Sequence, residues 1–440
     1  MKIAVIGSGV SGLGAAYALS AVHDVTVFEA DNRLGGHANT VTAKFDGQSV
    51  DVDTGFIVFN HRNYPNLTAL FEHLDVETIP SDMSFGFSMD GGAFEYACDN
   101  LDKIFAQRSN ILKPRFWRGV RETLNFMKRA PAALEAGETR GVSLRDWLDA
   151  EGFSTDFQEQ FILPMAGAIW STPASEMGAF PAENFMLFFK NHDLFTGLAE
   201  AQKWWTVKGG SRNYVAKLAA HLGDRARVSA PVASVTRMGP MVEVRLQSGE
   251  AEMYDQVVMA CHAPTTRALL THMDEEERET LAPFRTTRNH AVLHRDTALM
   301  PKRRKVWSSW SMLTAEGAGE RPVTLSYWMN RLQSLPTEHN LMVTMNAQTP
   351  PDPALTIAEF DYEHPYFDKA SFDAQMQVDN IQGRGGVWYA GAWLGWGFHE
   401  DGLKSGLRVA EALGARPDWA KDLGTHLSPP LPAATIMAAE

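Results

Sequence analysis

The opening of the chain leaves few folds available to it. Lys2-Ile3-Ala4-Val5-Ile6 is a short, nearly all-apolar run, as a strand buried on both faces requires. Gly7-Ser8-Gly9-Val10-Ser11-Gly12 follows at once, and Leu13-Gly14-Ala15-Ala16-Tyr17-Ala18-Leu19 then reads as a tightly packed helix. Strand, glycine turn and helix in this order make a dinucleotide site. Gly7 permits the sharp turn, Gly9 has no side chain to hold a pyrophosphate off the backbone, and Gly12 lets the helix lie close on the strand. The free N–H groups at the helix start face the phosphate charge. A second strand, Val25-Thr26-Val27-Phe28, ends on Glu29, placed to accept hydrogen bonds from a ribose hydroxyl.

The residues after Glu29 narrow the choice of dinucleotide. Arg33-Leu34-Gly35-Gly36 and His37-Ala38-Asn39-Thr40 bring a second glycine pair toward the cofactor, with Arg33 able to pair with phosphate. Residues 47–55 read as a hairpin strand running into a small-residue turn at Thr54-Gly55. Each glycine alone is an ordinary turn glycine; together they form segments that a nicotinamide-only dehydrogenase has no need of.

Composition excludes several classes. With 440 residues the chain holds two or three domains' worth of core, and its net charge of −13 argues against nucleic acid as a partner. Cys98 and Cys261 cannot build a disulfide framework, and no CxxC spacing marks a redox or zinc site. The first strand starts at residue 2, leaving no room for a signal peptide, and no apolar run approaches a membrane span, so a cytoplasmic location is expected. His290 and His294 lie four apart with no third ligand evident, and no metal is expected there.

From about 64 to 200 helical periods, aromatics and basic clusters replace the alternation of strands and turns. Residues 113–129 place Phe116, Val120, Leu124 and Met127 on one helical stripe, with Arg118, Arg121, Lys128 and Arg129 largely off it. The simpler reading is a core-facing helix with a solvated basic face; the other is a peripheral contact with an anionic membrane. A second basic patch, residues 301–307, lies beside Trp307, and residues 180–189 are apolar and aromatic enough for core or for a cavity wall. Strand-and-turn texture returns near 205: Lys208-Gly209-Gly210, then strands over 228–235, 242–246 and 256–260, the last ending at Cys261-His262-Ala263-Pro264. A final buried strand, residues 387–392, leads through a glycine-rich turn into a helix near Leu403, a second anion-binding turn. Residues from Pro417, including Ser428-Pro429-Pro430, read as a poorly ordered tail.

Together GSGVSG, Glu29, RLGG, VDTG, VKGG and YAGAW…GFHEDGLKSG resemble the FAD-dependent amine oxidase and phytoene desaturase superfamily. Within it, RLGGHANTV, VDTGFIVFN, YPNL and SDMSF resemble the flavoprotein branch associated with cyclopropane fatty acid synthases and furan fatty acid biosynthesis. The resemblance implies an α/β fold: a Rossmann-like FAD-binding domain of the GR2 type with an interleaved α+β substrate domain. It divides the chain into 1–63, 203–266 and 384–416 for FAD, 64–202 and 267–383 for substrate, and 417–440 as tail. It implies FAD contacts at Gly7, Ser8, Gly9, Ser11, Gly12, Glu29, Arg33, Gly35, Gly36, Thr54, Gly55, Val232, Gly391, Gly402 and Leu403. Many relatives carry an acid just after the glycine of the last strand; here Ala392 and Trp393 follow Gly391.

Such a chain is expected to desaturate a lipid acyl chain, a methylated unsaturated one by preference, by hydride transfer to flavin N5, with His399, Glu400, Lys208 and His37 as candidate bases. An amine or polyamine oxidase is the alternative, although Phe398 has no hydroxyl and the second aromatic of an amine cage is not identifiable. A third reading is a flavin-binding partner of a lipid methyltransferase without turnover of its own.

Overall fold

A computed structural model describes residues 1–170, 174–192, 194–195, 202–314 and 323–424. The Lys2–Ile6 strand lies between Asp24–Phe28 and Gln256–Met259, parallel to both. Ala226–Arg227 and Val387–Tyr389 close the two sides of this five-stranded parallel sheet. Ile3, Val5, Val25, Val27, Val257 and Val258 are all fully buried, which is why these runs are apolar without alternation.

The Val10–Leu19 helix is buried all round because the His399–Ala412 helix covers its far side. Small residues allow the close approach: a Cβ on Gly406 would lie 2.2 Å from Ser11 O, and one on Gly14 would lie 2.4 Å from Leu403 Cδ1. Glycine so late in the chain thus serves helix packing.

Sequence reading expected helices throughout 64–200. The structure places three strands there as well: Thr78–Ser81, Phe85–Met89 and Phe94–Ala97. Phe85–Met89 pairs in parallel with Trp310–Thr314, and this distant partner outweighs the local helical texture. Both join a seven-stranded sheet, with Phe94–Ala97 at one edge and the remaining four strands drawn from residues 285–366. The strand expected over 228–235 starts only at Val232. Ala226–Arg227 belongs to the parallel sheet, Ser229 takes a left-handed φ of 49°, and Val232–Met238 starts a separate antiparallel sheet.

Four helices, Pro114–Ala136, Leu144–Ala150, Leu163–Trp170 and Ala182–Asn191, enclose an aromatic core around Phe126, Trp147, Phe153, Phe185 and Phe189. Leu124 departs from the expected core stripe: it is 63% exposed, while Phe116 and Phe126 face inward. At the far end, the tail is anchored where it is described. Leu423 is buried, Trp419 stacks on His73, and the Lys421 N–H donates to Asn66 Oδ1. The Ser428-Pro429-Pro430 stretch lies outside the described residues. Among the described residues no helix is long and apolar enough to cross a membrane.

Candidate active site

The carboxyl ends of the parallel strands open onto one cavity of about 2010 Å³. Ligands bind at this edge of open α/β sheets, since the turns there present helix N-termini. The cavity wall begins with Gly7, Ser8, Gly9 and Ser11 and continues past Glu29, Gly36, Gly55, Val232 and Gly391 to His399. It then runs between Phe161, Phe188 and Phe189 and reaches the surface at Leu101, Arg118 and Leu124.

The glycine turn fits a dinucleotide on its own geometry. A Cβ on Gly12 would sit 2.0 Å from Gly7 O, and one on Gly7 would sit 2.7 Å from Ala260 O, so both positions are closed to side chains. A Cβ on Gly9 would meet nothing within 4 Å; the space it would enter is the cavity itself. Gly9 also begins the helix, and no side chain caps the helix N–H groups. An uncapped N-terminus facing open space is what a pyrophosphate needs. Glu29 is held at this turn: its Oε2 accepts from Ser8 N at 2.9 Å and Ser8 Oγ at 2.5 Å, and its Oε1 accepts from Asp31 N. The second glycine pair closes on the first, with Gly36 Cβ space ending 3.1 Å from Gly9 Cα.

Other residues on the expected list take different places. Arg33 does not line the cavity; its Nη2 donates to Gly36 O at 2.9 Å and its Nε pairs with Asp31 at 3.4 Å, so the guanidinium braces its own loop. Gly35, with φ of 112°, donates its N–H to Ser8 O. Thr54 sits behind the wall, its hydroxyl 2.7 Å from Tyr362 OH. Gly402 and Leu403 lie in the contact between the two helices: a Cβ on Gly402 would be 2.8 Å from Val10 Cγ1.

The four candidate bases separate sharply. Lys208 points outward and pairs with Glu77 at 2.7 Å, because the Trp204–Val207 strand ends there and the backbone turns at Gly209. Glu400 faces away from the cavity, and both its oxygens accept from the start of the Pro65–His73 helix, at Asn66 N, Asn66 Nδ2 and Leu67 N. Neither side chain reaches the cavity. His399 and His37 both line it. His399 stacks on Phe56 with ring centroids 3.7 Å apart, and its Nε2 lies 3.0 Å from Tyr214 OH. Burial pushes its pKa down to about 3.

His37 belongs to a cluster that sequence reading did not assemble. Its ring centroid is 5.3 Å from that of His364 and 5.9 Å from that of His262. Burial and the neighbouring rings hold His37 well below the usual histidine range; burial brings His364 to about 4 and lowers His262. His37 Nε2 is buried and has no hydrogen-bond partner among the described residues. His262 had one readable signal: it follows a strand at the sheet's carboxyl edge. His364, on the Thr356–Tyr366 strand, had none.

The two cysteines are free and line the cavity, with burial raising Cys98 to about 12 and Cys261 to about 11, so neither is a thiolate. His294 faces Thr344 Oγ1 at 2.7 Å and His290 pairs with Asp361 and Glu359. No group of three or more His, Cys, Asp or Glu side chains is placed to hold a metal ion among the described residues.

Comparison with known proteins agrees with this geometry. The profile of the family described as flavin containing amine oxidoreductase matches residues 10–338. A 4,4'-diapophytoene desaturase (4,4'-diaponeurosporene-forming) of Staphylococcus aureus is 34% identical over 105 residues, covering 19% of this chain and 20% of the relative. This chain therefore spans about a fifth of that relative's length. Among solved structures, cyclohexylamine oxidase from Brevibacterium oxydans is similar with TM-score 0.69 at 16% identity, covering 94% of this chain and 98% of its own. Wild-type putrescine oxidase bound to putrescine has TM-score 0.68 at 16% identity, over 94% and 100%. The CLA-producing fatty acid isomerase from P. acnes has TM-score 0.61 at 15% identity, over 94% and 97%. These structures share the fold. From the extent of the profile match and the fit of the glycine turn, the chain belongs to the flavin-containing amine oxidoreductase family and is an FAD-dependent oxidoreductase.

Proposed function

We propose that the protein dehydrogenates a lipid acyl chain, with a methylated unsaturated chain, as in furan fatty acid formation, as the first substrate to test. The observation that carries this reading is the cavity, whose wall beyond the glycine turn is rich in Phe, Trp, Met and Leu side chains. An acyl chain gains free energy from burial along such a wall at about 0.8 kcal/mol per methylene. A diamine would need free carboxylates there, and those present are engaged. Asp82 and Asp99 pair with Arg331 at 2.8 and 3.1 Å, and Glu122 accepts from Ser154 N and Oγ.

Bound FAD supplies the hydride acceptor for such a reaction. The chain's own residues do the rest. Phe56, Phe188 and Phe398 exclude water and hold the acyl chain, since the hydride must leave a C–H group fixed at short range. One hydrogen leaves as hydride and its neighbour as a proton; His37, which lines the cavity beside His262 and His364, is the side chain to receive it. His399, tied to Tyr214 and stacked on Phe56, positions the wall.

The test is anaerobic mixing of the FAD-loaded protein with phospholipid vesicles carrying methyl-branched monounsaturated chains. Bleaching of the flavin absorption with a diene in the extracted lipid supports the proposal. Bleaching with amines alone overturns it in favour of amine oxidation. No bleaching with either, together with co-purification of a lipid methyltransferase, overturns it in favour of an accessory role.

A further inference from the structure

We infer that the face around Leu112 and Trp117 docks on an anionic phospholipid bilayer and opens the cavity toward it. Ten large hydrophobic side chains are exposed among the described residues, and five of them, Leu101, Ile111, Leu112, Trp117 and Leu124, fall between positions 101 and 124. Leu112 is 85% exposed. They form one patch: Trp117 Nε1 donates to Ile111 O, and Trp117 packs against Phe105, which lines the cavity beside Leu101.

On the Pro114–Ala136 helix, Trp117, Arg121, Leu124 and Lys128 recur at spacings of four, three and four, which sets them on one outward face. Phe116, Phe126, Ala130 and Ala133 face the core instead. Apolar and cationic side chains therefore alternate along a surface stripe. Residues 101–129 hold eight Lys and Arg against Asp102 and Glu122, in a chain whose net charge is −13. Arg129, Arg108 and Arg115 pair with Glu151, Asp102 and Asp156. Arg118, Arg121 and Lys128 have no carboxylate partner among the described residues. The other basic patch read from the sequence differs: Arg303 pairs with Glu95, Lys305 with Asp102, and Arg304 lies over Trp307.

Unpaired cations beside an exposed indole and leucines complement a surface of anionic headgroups over acyl chains. The position matters as much as the composition. Leu101, Arg118 and Leu124 are exposed and line the cavity, so its apolar wall reaches the surface inside this patch. A lipid chain entering there passes from bilayer to cavity without crossing water. This use of the patch rests on the proposed lipid substrate; the docking itself does not.

The experiment is co-sedimentation of the full-length, FAD-loaded protein with vesicles of phosphatidylcholine containing phosphatidylglycerol, and with phosphatidylcholine alone. Binding is expected only with the anionic lipid and should weaken as salt is raised. The combined variant L112D/R121E/K128E, at positions that do not line the cavity, should bind at least about tenfold more weakly, with flavin absorption and Tm unchanged. Binding that ignores lipid charge or is unaffected by the variant overturns the inference. So does absence of vesicle binding with a concentration-dependent dimer that the variant dissociates, which would assign the face to a second copy. Vesicle binding without acyl oxidation supports docking and removes the lipid-oxidation reading alone.

Discussion

Glu400 caps the helix that begins beside Asn66: its Oε1 accepts from the Asn66 backbone N–H at 3.0 Å and from the Asn66 side-chain amide at 2.8 Å. Its Oε2 accepts from Leu67 N, and the tail is tied to the same point through Asn66 Oδ1. Removing the carboxylate leaves three buried donors unsatisfied. Glu400→Ala should therefore lower stability by about 3 kcal/mol in urea unfolding. Flavin absorption at low temperature should be unchanged. A variant as stable as the parent but without turnover would return Glu400 to the list of bases.

Gly9 and Gly12 make opposite predictions although they belong to one motif. Gly9→Ala fits the apo protein, since its φ of −63° and ψ of 177° suit alanine and its Cβ meets nothing within 4 Å. The apo Tm should hold or rise slightly, by the equivalent of about 0.5 kcal/mol, while FAD affinity falls strongly. Gly12→Ala forces a Cβ to 2.0 Å from Gly7 O and should destabilise the apo protein itself. Melting curves with and without added FAD separate the two. Equal loss of apo stability in both variants would contradict the geometry.

Acid should unfold this protein earlier than its carboxylates alone would require. Burial lowers His399 to about 3 and His294 and His364 to about 4 from a usual 6.5, and lowers His37 and His262 as well. The unfolded chain then binds more protons, so this stability is complete above pH 6.5 and is lost as pH falls toward 4. Asp401, raised by burial to about 7, and Asp53, raised to about 6, act with the opposite sign: each loses stability as pH rises through its folded pKa. Asp401→Asn removes one opposing group, and its Tm should climb more steeply than the parent's between about pH 5 and 7. Parallel Tm–pH curves would show that Asp401 titrates normally.

The cofactor half of the site was legible because its signals are local. One strand, one turn and one helix place Gly7, Gly9 and Gly12, and the acid that ends the next strand is their neighbour in the sheet. Side-chain direction was not legible. Lys208 stands beside a glycine pair yet points to solvent, and Glu400 adjoins His399 yet faces another helix. The histidine cluster is a product of topology: it joins the loop after Gly35-Gly36, the end of a parallel strand and the Thr356–Tyr366 strand. No sequence spacing encodes that meeting.

His37 is where the cluster makes its sharpest prediction. Its ring lines the cavity and stays neutral through the physiological range, because burial and the imidazoles of His364, His262 and His399 disfavour a charge. His37→Phe keeps an aromatic ring beside Tyr362 and His364, so folding and FAD content should survive. If His37 receives the substrate proton, kcat should fall by about 10²–10⁴-fold with a small change in KM. The parent's kcat/KM should also show an acid limb well below pH 6.5, where His37 finally protonates, and the variant should lack it. Retention of kcat within a few-fold, or an acid limb that persists in the variant, would mean that the proton leaves by another route.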